Sequence, residues 1–265
     1  MPEPAQIRAY VEGPAGIVQF ARPEARNALT DTMLAETREA MASWELDGRV
    51  SAVILTGDEQ AFCAGGDVKK TASAKMPPFE KYRYRMTASV WHEFIRYIGN
   101  YAKPVIAAVE GYSLGGGLEI VLRCDFAVGS DAAIFGMTEA KLGLFPILGG
   151  AWSLSRAVGS RKARELAYTA RRIDAKEALE IGILNHVAEK GEALNRAMDI
   201  VGEISENAPL AVMALKQAIN RSHSQSFEEA LVAGGDLSAM LAFSEDRKEG
   251  IRAFLEKRKP EFKGN

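Results

Sequence analysis

Apolar positions in the first half of the chain switch repeatedly between short unbroken runs and a helical repeat. Gly16 to Phe20 is a short apolar run, followed by the turn-rich Arg22-Pro23-Glu24. Thr30 stands where an N-cap belongs, and Met33, Thr37, Met41 and Trp44 then recur at helical spacing. Ser51 to Leu55 is β-branched and apolar, which predicts a buried strand ended by Gly57. Ala61 to Asp67 reads as a small-residue loop, Ala72 to Pro78 as a mobile surface loop, and Phe79 to Gly99 as a long helix. Pro104 to Val109 predicts a second buried strand, Gly111 to Gly117 a glycine loop, Leu118 to Leu122 a helix start, and Asp125 to Val128 another strand. This recurrence of strand, loop and helix predicts α/β layers with largely parallel strands.

The last third reads differently. Asp174-Ala175-Lys176-Glu177 has the form of a capping box opening a helix that Gly182 ends. Beyond Glu189 nearly everything is helical, with Pro209 in a first turn ahead of Leu210 to Ile219. Ser226 to Met240 and Ser244 to Lys257 follow. The pattern divides the chain into an α/β core over residues 1–200 and a helical C-terminal region over 201–265, where subunit contacts are expected. No short-period repeat and no long linker interrupts it.

Composition narrows the function. The 265 residues are 47% apolar and 26% charged, ordinary values for a globular protein. With a formal net charge of −2, no overall basic field is available for nucleic acid. The two cysteines, Cys63 and Cys124, lie in apolar text and read as buried thiols. His92, His186 and His223 are scattered and give no metal-ligand spacing. Met1-Pro2-Glu3-Pro4 has neither part of a signal peptide, and no run approaches the ~18 apolar residues of a membrane span. The expectation is a soluble cytoplasmic protein with no nucleic-acid or membrane partner.

Two glycine-containing loops each follow a buried strand: Phe62-Cys63-Ala64-Gly65-Gly66-Asp67, and Gly111 through Glu119. Small residues there let backbone N–H groups approach a ligand closely. One N–H from each, aimed at one point, would form an oxyanion hole. Equally, these are tight turns under close helix–strand packing. Gly111-Tyr112-Ser113-Leu114-Gly115 also fits the G-x-S-x-G nucleophile elbow of α/β-hydrolases, which would make Ser113 a nucleophile with His186 or His223 as its base. A dinucleotide loop is poorly supported, because Ile120 stands where the last glycine of G-x-G-x-x-G belongs. Glu119 and Glu139 sit in apolar surroundings 20 residues apart. Each is either a helix N-terminal residue or a functional acid, and they can meet only if the fold returns the chain to one place.

The two glycine loops, Phe135-Gly136 with Glu139, and Pro146 with Gly149-Gly150 together resemble the enoyl-CoA hydratase/isomerase (crotonase) family, as do Arg22-Pro23 with Asn27-Ala28-Leu29, Arg156 to Gly159, and Phe254 to Lys259. The similarity spans nearly the whole chain. It implies an α/β fold, a crotonase-like spiral of repeated ββα units with a helical C-terminal region, assembled as a homotrimer or as a hexamer of paired trimers. By position it implies that the N–H groups of Gly66 and Gly116 are the oxyanion donors. Coenzyme A would lie along Ala64, Gly66, Asp67 and Val68, with Lys69, Arg26 and Lys257 at its phosphates and Phe254 against the acyl or pantetheine chain. Lys257 would come from a neighbouring subunit.

Both acidic positions used by the family's hydratases are filled, by Glu119 and Glu139, which favours addition of water to an enoyl-CoA thioester. Isomerase, decarboxylase, acyl-CoA hydrolase and a catalytically silent scaffold are the other family readings. No separate cofactor is implied, since coenzyme A is part of the substrate. The chain departs from the family's usual Pro-Gly-Ala-Gly-Gly-Thr at Pro146-Ile147-Leu148-Gly149-Gly150-Ala151, where Ile147 replaces a glycine and is expected to shape the acyl pocket. Thr138 stands where proline is common.

Overall fold

The structure, a computed structural model, describes residues 5–68 and 90–265. Lys69, the surface loop expected at 72–78 and the first part of the helix expected from Phe79 lie outside the described residues.

The chain opens with the hairpin β1 (Ile7–Glu12) and β2 (Ala15–Phe20), then α1 (Asp31–Trp44), β3 (Ala52–Thr56), β4 (Ala61–Cys63) and α2 (Val90–Asn100). Next come β5 (Val105–Val109), β6 (Tyr112–Leu114), α3 (Gly116–Val121), β7 (Phe126–Ser130) and β8 (Ile134–Gly136). A 3₁₀ turn at Glu139–Leu142 precedes α4 (Gly150–Thr169), β9 (Ile173–Asp174), α5 (Ala175–Glu180) and β10 (His186–Ala188). Four helices close the chain: α6 (Ala193–Ser205), α7 (Pro209–Ser222), α8 (Phe227–Leu241) and α9 (Glu245–Glu256).

Among the described residues ten strands make two sheets. The larger has the order β1-β2-β3-β5-β7-β10, parallel except for β1. The smaller has the order β4-β6-β8-β9, with β4, β6 and β8 parallel and β9 antiparallel. Each central strand of the large sheet is followed at once by a short strand of the small one: β3 by β4, β5 by β6, β7 by β8. That succession is the repeated unit of the spiral.

Alternation along the large sheet explains its two cores. Val18, Val53, Leu55, Val105 and Ala107 face α1 and α2, where Met33, Met41, Phe94 and Ile98 are buried. Ile17, Ile54, Ile106 and Val128 face the other way, onto Ala193, Ala197, Ile200 and Val201 of α6. The helix α6 therefore runs across residue 200 and seals one face of the sheet. All four positions of the α1 repeat, Met33, Thr37, Met41 and Trp44, are buried. Its cap forms as expected, the Thr30 hydroxyl accepting from the Met33 N–H at 3.1 Å. At α5 only half of the expected capping box forms. Asp174 accepts from the Glu177 N–H at 2.8 Å, while the Glu177 carboxylate is drawn to Arg171 instead. Ser226 makes the complete reciprocal box at α8. Lys216 of α7 is 8% exposed and bonds Asp125 at 2.6 Å and the Lys103 carbonyl at 2.9 Å, tying the helical end to the core.

Two further differences from the sequence reading stand out. Within the expected glycine loop 111–117, Tyr112 to Leu114 is strand β6. The strand β1 carries no buried face, so its apolar signal is weak. Both thiols are shielded, and burial pushes the Cys63 thiol up to about 12 and raises that of Cys124. No described helix is long and apolar enough to cross a membrane.

Candidate active site

The loop after β4 is strapped to the segment before α1. Gly65, at φ 103°, turns its carbonyl to the Leu29 N–H at 2.8 Å. The Asp67 N–H returns to the Leu29 carbonyl at 3.1 Å, and the Ala64 N–H meets the Arg26 carbonyl at 3.0 Å. The Gly66 N–H lies between these bonds. The loop after β6 is fixed by the Gly115 N–H donating to the Gly136 carbonyl at 2.8 Å. Gly115 adopts φ 52° and ψ −121°, a backbone state that L side chains rarely adopt, and α3 begins at the next residue.

These straps bring the loops together. A Cβ added to Gly116 would stand 3.7 Å from the Gly66 nitrogen, and one added to Gly65 would stand 3.6 Å from the Gly116 nitrogen. Among the described residues neither N–H has a protein acceptor. Leu29, Leu148 and the Trp91 ring lie beside the pair. Neighbouring free N–H donors in apolar walls suit an oxygen that gains negative charge.

Both glutamates reach this place. Glu119, on α3, is 2% exposed, and its Oε1 accepts from the Leu148 N–H at 2.8 Å and the Gly150 N–H at 2.7 Å. Burial pushes its carboxyl up to about 7. The two N–H bonds work against that shift, and the nearby Glu139 adds to it. Glu139 opens the 3₁₀ turn, and its Oε1 lies 3.1 Å from where a Gly115 Cβ would be. Its Oε2 is buried and has no hydrogen-bond partner among the described residues, and burial raises this carboxyl too. Two carboxyl groups so placed titrate as a pair and resist double ionisation.

The raised pKa of Glu119 has a thermodynamic consequence. Its folded-state value of about 7 exceeds the ordinary 4.5, so the folded protein holds more protons than the unfolded chain between those values. Stability from this group is full below about 4.5 and falls as pH rises through 7, by roughly 3 kcal/mol. Glu119→Gln removes the charge and keeps an oxygen for both N–H donors. We expect the variant's stability relative to wild type to grow between pH 5 and 8 in urea unfolding. A difference that stays flat with pH would contradict the assignment.

The other expected residues are dispersed. Arg26 lies against the same loop, its guanidinium 5.9 Å from the Tyr112 ring centre. Asp67 is paired with Arg22 at 3.1 Å. Val68 is largely exposed, as is Ile147, whose side chain is 46% exposed. Phe254 and Lys257 belong to the end of α9, where Phe254 is 82% exposed. The nucleophile-elbow reading fails in geometry. Ser113 is fully buried inside β6, and its hydroxyl has no hydrogen-bond partner. His186 is in β10 of the other sheet, and His223 meets the Trp152 ring edge to face, 6.3 Å between ring centres.

Sequence reasoning missed Trp91 and His92, which open α2. The Trp91 ring lies 3.7 Å from where a Gly66 Cβ would stand, and His92 Nε2 is 3.1 Å from the Ile147 carbonyl. Neither has a local signal, because both sit in ordinary amphipathic helix text.

Fold and site together define an enzyme built on a spiral of ββα units. The profile of the enoyl-CoA hydratase/isomerase family matches residues 12–265, and the chain belongs to that family. It is 40% identical over 251 residues to a short-chain-enoyl-CoA hydratase of Clostridium acetobutylicum, covering 94% of each chain. The crystal structure of an enoyl-CoA hydratase from a Polaromonas species superposes with a TM-score of 0.91 at 35% identity, covering 97% of this chain and 99% of that one. An enoyl-CoA hydratase from Bacillus anthracis gives 0.91 at 33% identity, covering 98% and 100%.

Proposed function

We propose that the protein is an enoyl-CoA hydratase that adds water across the 2,3 double bond of an acyl-coenzyme A thioester. The observation that carries this reading is the convergence of two proton-retaining carboxyls, the buried Glu119 and the partly buried Glu139, beside the N–H groups of Gly66 and Gly116, which have no acceptor among the described residues. In this mechanism the thioester oxygen accepts from both N–H groups. The carboxyl pair holds one proton. The ionised member takes a proton from water as its oxygen attacks Cβ, and the protonated member delivers a proton to Cα. The enolate charge that develops between those events rests on the two N–H donors, each typically worth about 3–4 kcal/mol in such sites.

Coenzyme A would run along Ala64, Gly66, Asp67 and Val68, with Arg26 and Lys69 near its phosphates. Phe254 and Lys257 fit this scheme as contributions from a neighbouring copy in a trimer or hexamer. Exposure of Phe227, Val232, Met240, Phe243, Phe254 and Leu255 along α8, α9 and the turn between them supports burial of that end against other copies. A cytoplasmic location is part of the same proposal.

The test is the wild-type protein with crotonyl-CoA. Loss of the enoyl absorbance with formation of 3-hydroxybutyryl-CoA is expected. Migration of the double bond, release of free thiol or release of carbon dioxide from a suitable thioester in its place would assign another activity of the family. A substrate panel addresses Ile147. With its side chain outside the carboxyl pair, Ile147→Gly is expected to leave crotonyl-CoA turnover within about threefold and to change the ranking of longer or branched enoyl chains. Identical rankings would exclude a role for this side chain in chain selection.

A further inference from the structure

The Ile147–Leu148 peptide group is bonded on both sides. Its N–H donates to Glu119 Oε1 at 2.8 Å, and its carbonyl faces His92 Nε2 at 3.1 Å. A carbonyl oxygen only accepts, so Nε2 carries the proton in this contact. We propose that His92 is a positioning residue for Glu119, acting through this single peptide group. The proposal rests on the hydratase reading for its catalytic consequence and stands by itself for the structural link.

The geometry favours a directed contact. His92 is in the first turn of α2, and the neighbours that fix that turn are well anchored. Phe94 is 1% exposed, Ile95 is 8% exposed, and the Trp91 indole N–H donates to Asp31 at 2.7 Å. On the segment that His92 meets, Phe145 is 71% exposed and Ile147 46% exposed, while Leu148 is buried in the core beside Gly116. A peptide plane has its carbonyl and N–H on opposite sides, so fixing the carbonyl aims the N–H. Bonding at the carbonyl also polarises the group and strengthens its N–H as a donor. Without His92 the carbonyl loses this partner and the Leu148 N–H is aimed at Glu119 less firmly, while the Gly150 N–H remains the other partner of Glu119. Among the described residues, charged groups lie on or beside this chain of contacts. Glu139 acts on Glu119, and on α2 Glu93 is paired with Arg38 at 3.1 Å, with Arg96 one turn on.

The test uses His92→Ala and His92→Gln, since the Gln amide can place a donor near the Nε2 position. His92→Ala is expected to lower kcat about tenfold, as fits a weakened charge-assisted hydrogen bond, with KM within about twofold. The limb of the pH–rate profile that reports Glu119 should move upward, because the ionised form has lost part of a donor. His92→Gln should restore kcat to within about threefold of wild type. A second readout needs no activity: the stability difference between Glu119→Gln and its parent, followed against pH with and without His92→Ala. Its midpoint should lie higher in the His92→Ala background. An unchanged midpoint, or a Gln variant as impaired as the Ala variant, overturns the proposal. A wild-type enzyme that fails to hydrate any enoyl-CoA would remove the hydratase reading and leave the stability measurement to decide the His92 link.

Discussion

Glu119→Gln and Glu139→Gln each lower kcat for crotonyl-CoA hydration by at least about 10²-fold, within the usual 10²–10⁴-fold range for loss of one acid–base group. The two single variants fall by similar factors, and the double variant falls little further, because neither carboxyl completes the addition alone. The fold survives both changes. Glu119→Gln keeps an acceptor for the Leu148 and Gly150 N–H groups, and Glu139 Oε2 has no hydrogen bond to lose. KM stays close to wild type, since thioester binding depends on Gly66, Gly116 and the coenzyme A contacts. Stopped-flow or steady-state loss of enoyl absorbance reads the result. Full hydration by Glu139→Gln would sink the paired mechanism and point to isomerase-like chemistry with one acid.

The second large effect is expected at Gly117. A Cβ there would stand 2.2 Å from the Cys63 carbonyl oxygen, with backbone on both sides of the clash. No side chain can swing away, so Gly117→Ala forces α3 and the end of β4 apart. Overpacking of this kind costs about 1–3 kcal/mol, which for a chain of this size lowers Tm by roughly 5 °C. The shift falls between the two oxyanion loops and at the base of Glu119. A displacement near 1 Å there is expected to reduce kcat/KM about 10²-fold. Gly48 is the control: nothing lies within 4 Å of its built Cβ, so Gly48→Ala should leave both Tm and kcat/KM nearly unchanged. A Gly117→Ala protein with wild-type melting and kinetics would contradict the close packing of β4 on α3.

The parts of this architecture visible in the sequence are those with a period or a cap. β3 and β5 were legible because each is a five-residue run buried on both faces. Helices α1, α7, α8 and α9 were legible from Thr30, Pro209, Ser226 and Ser244. The small sheet was not. Its strands are two or three residues long, too short to express alternation, and β6 is embedded in a glycine-rich stretch that reads as loop. For the same reason Gly111 to Gly115 imitates a nucleophile elbow, although Ser113 is a buried strand residue. The two glutamates were visible one by one, as carboxylates in apolar text. Their meeting depends on β8 returning the chain beside β6, which no local spacing encodes. His92 was invisible because its partner is a backbone carbonyl 55 residues away.

The strand order of the large sheet also bears on how the chain acquires its fold. β2, β3, β5 and β7 are laid down side by side in the order of synthesis, each new strand pairing with the last long strand made. Pairing therefore proceeds between sequence neighbours, and each closure spans one ββα turn. β10 continues the same order against β7, but arrives last, after α4, β9 and α5. Folding should accordingly resemble the winding of a coil from its first turn. In pulsed hydrogen exchange the amides of β3 and β5 are expected to gain protection before those of β10. Simultaneous protection across the sheet would instead indicate a single concerted collapse.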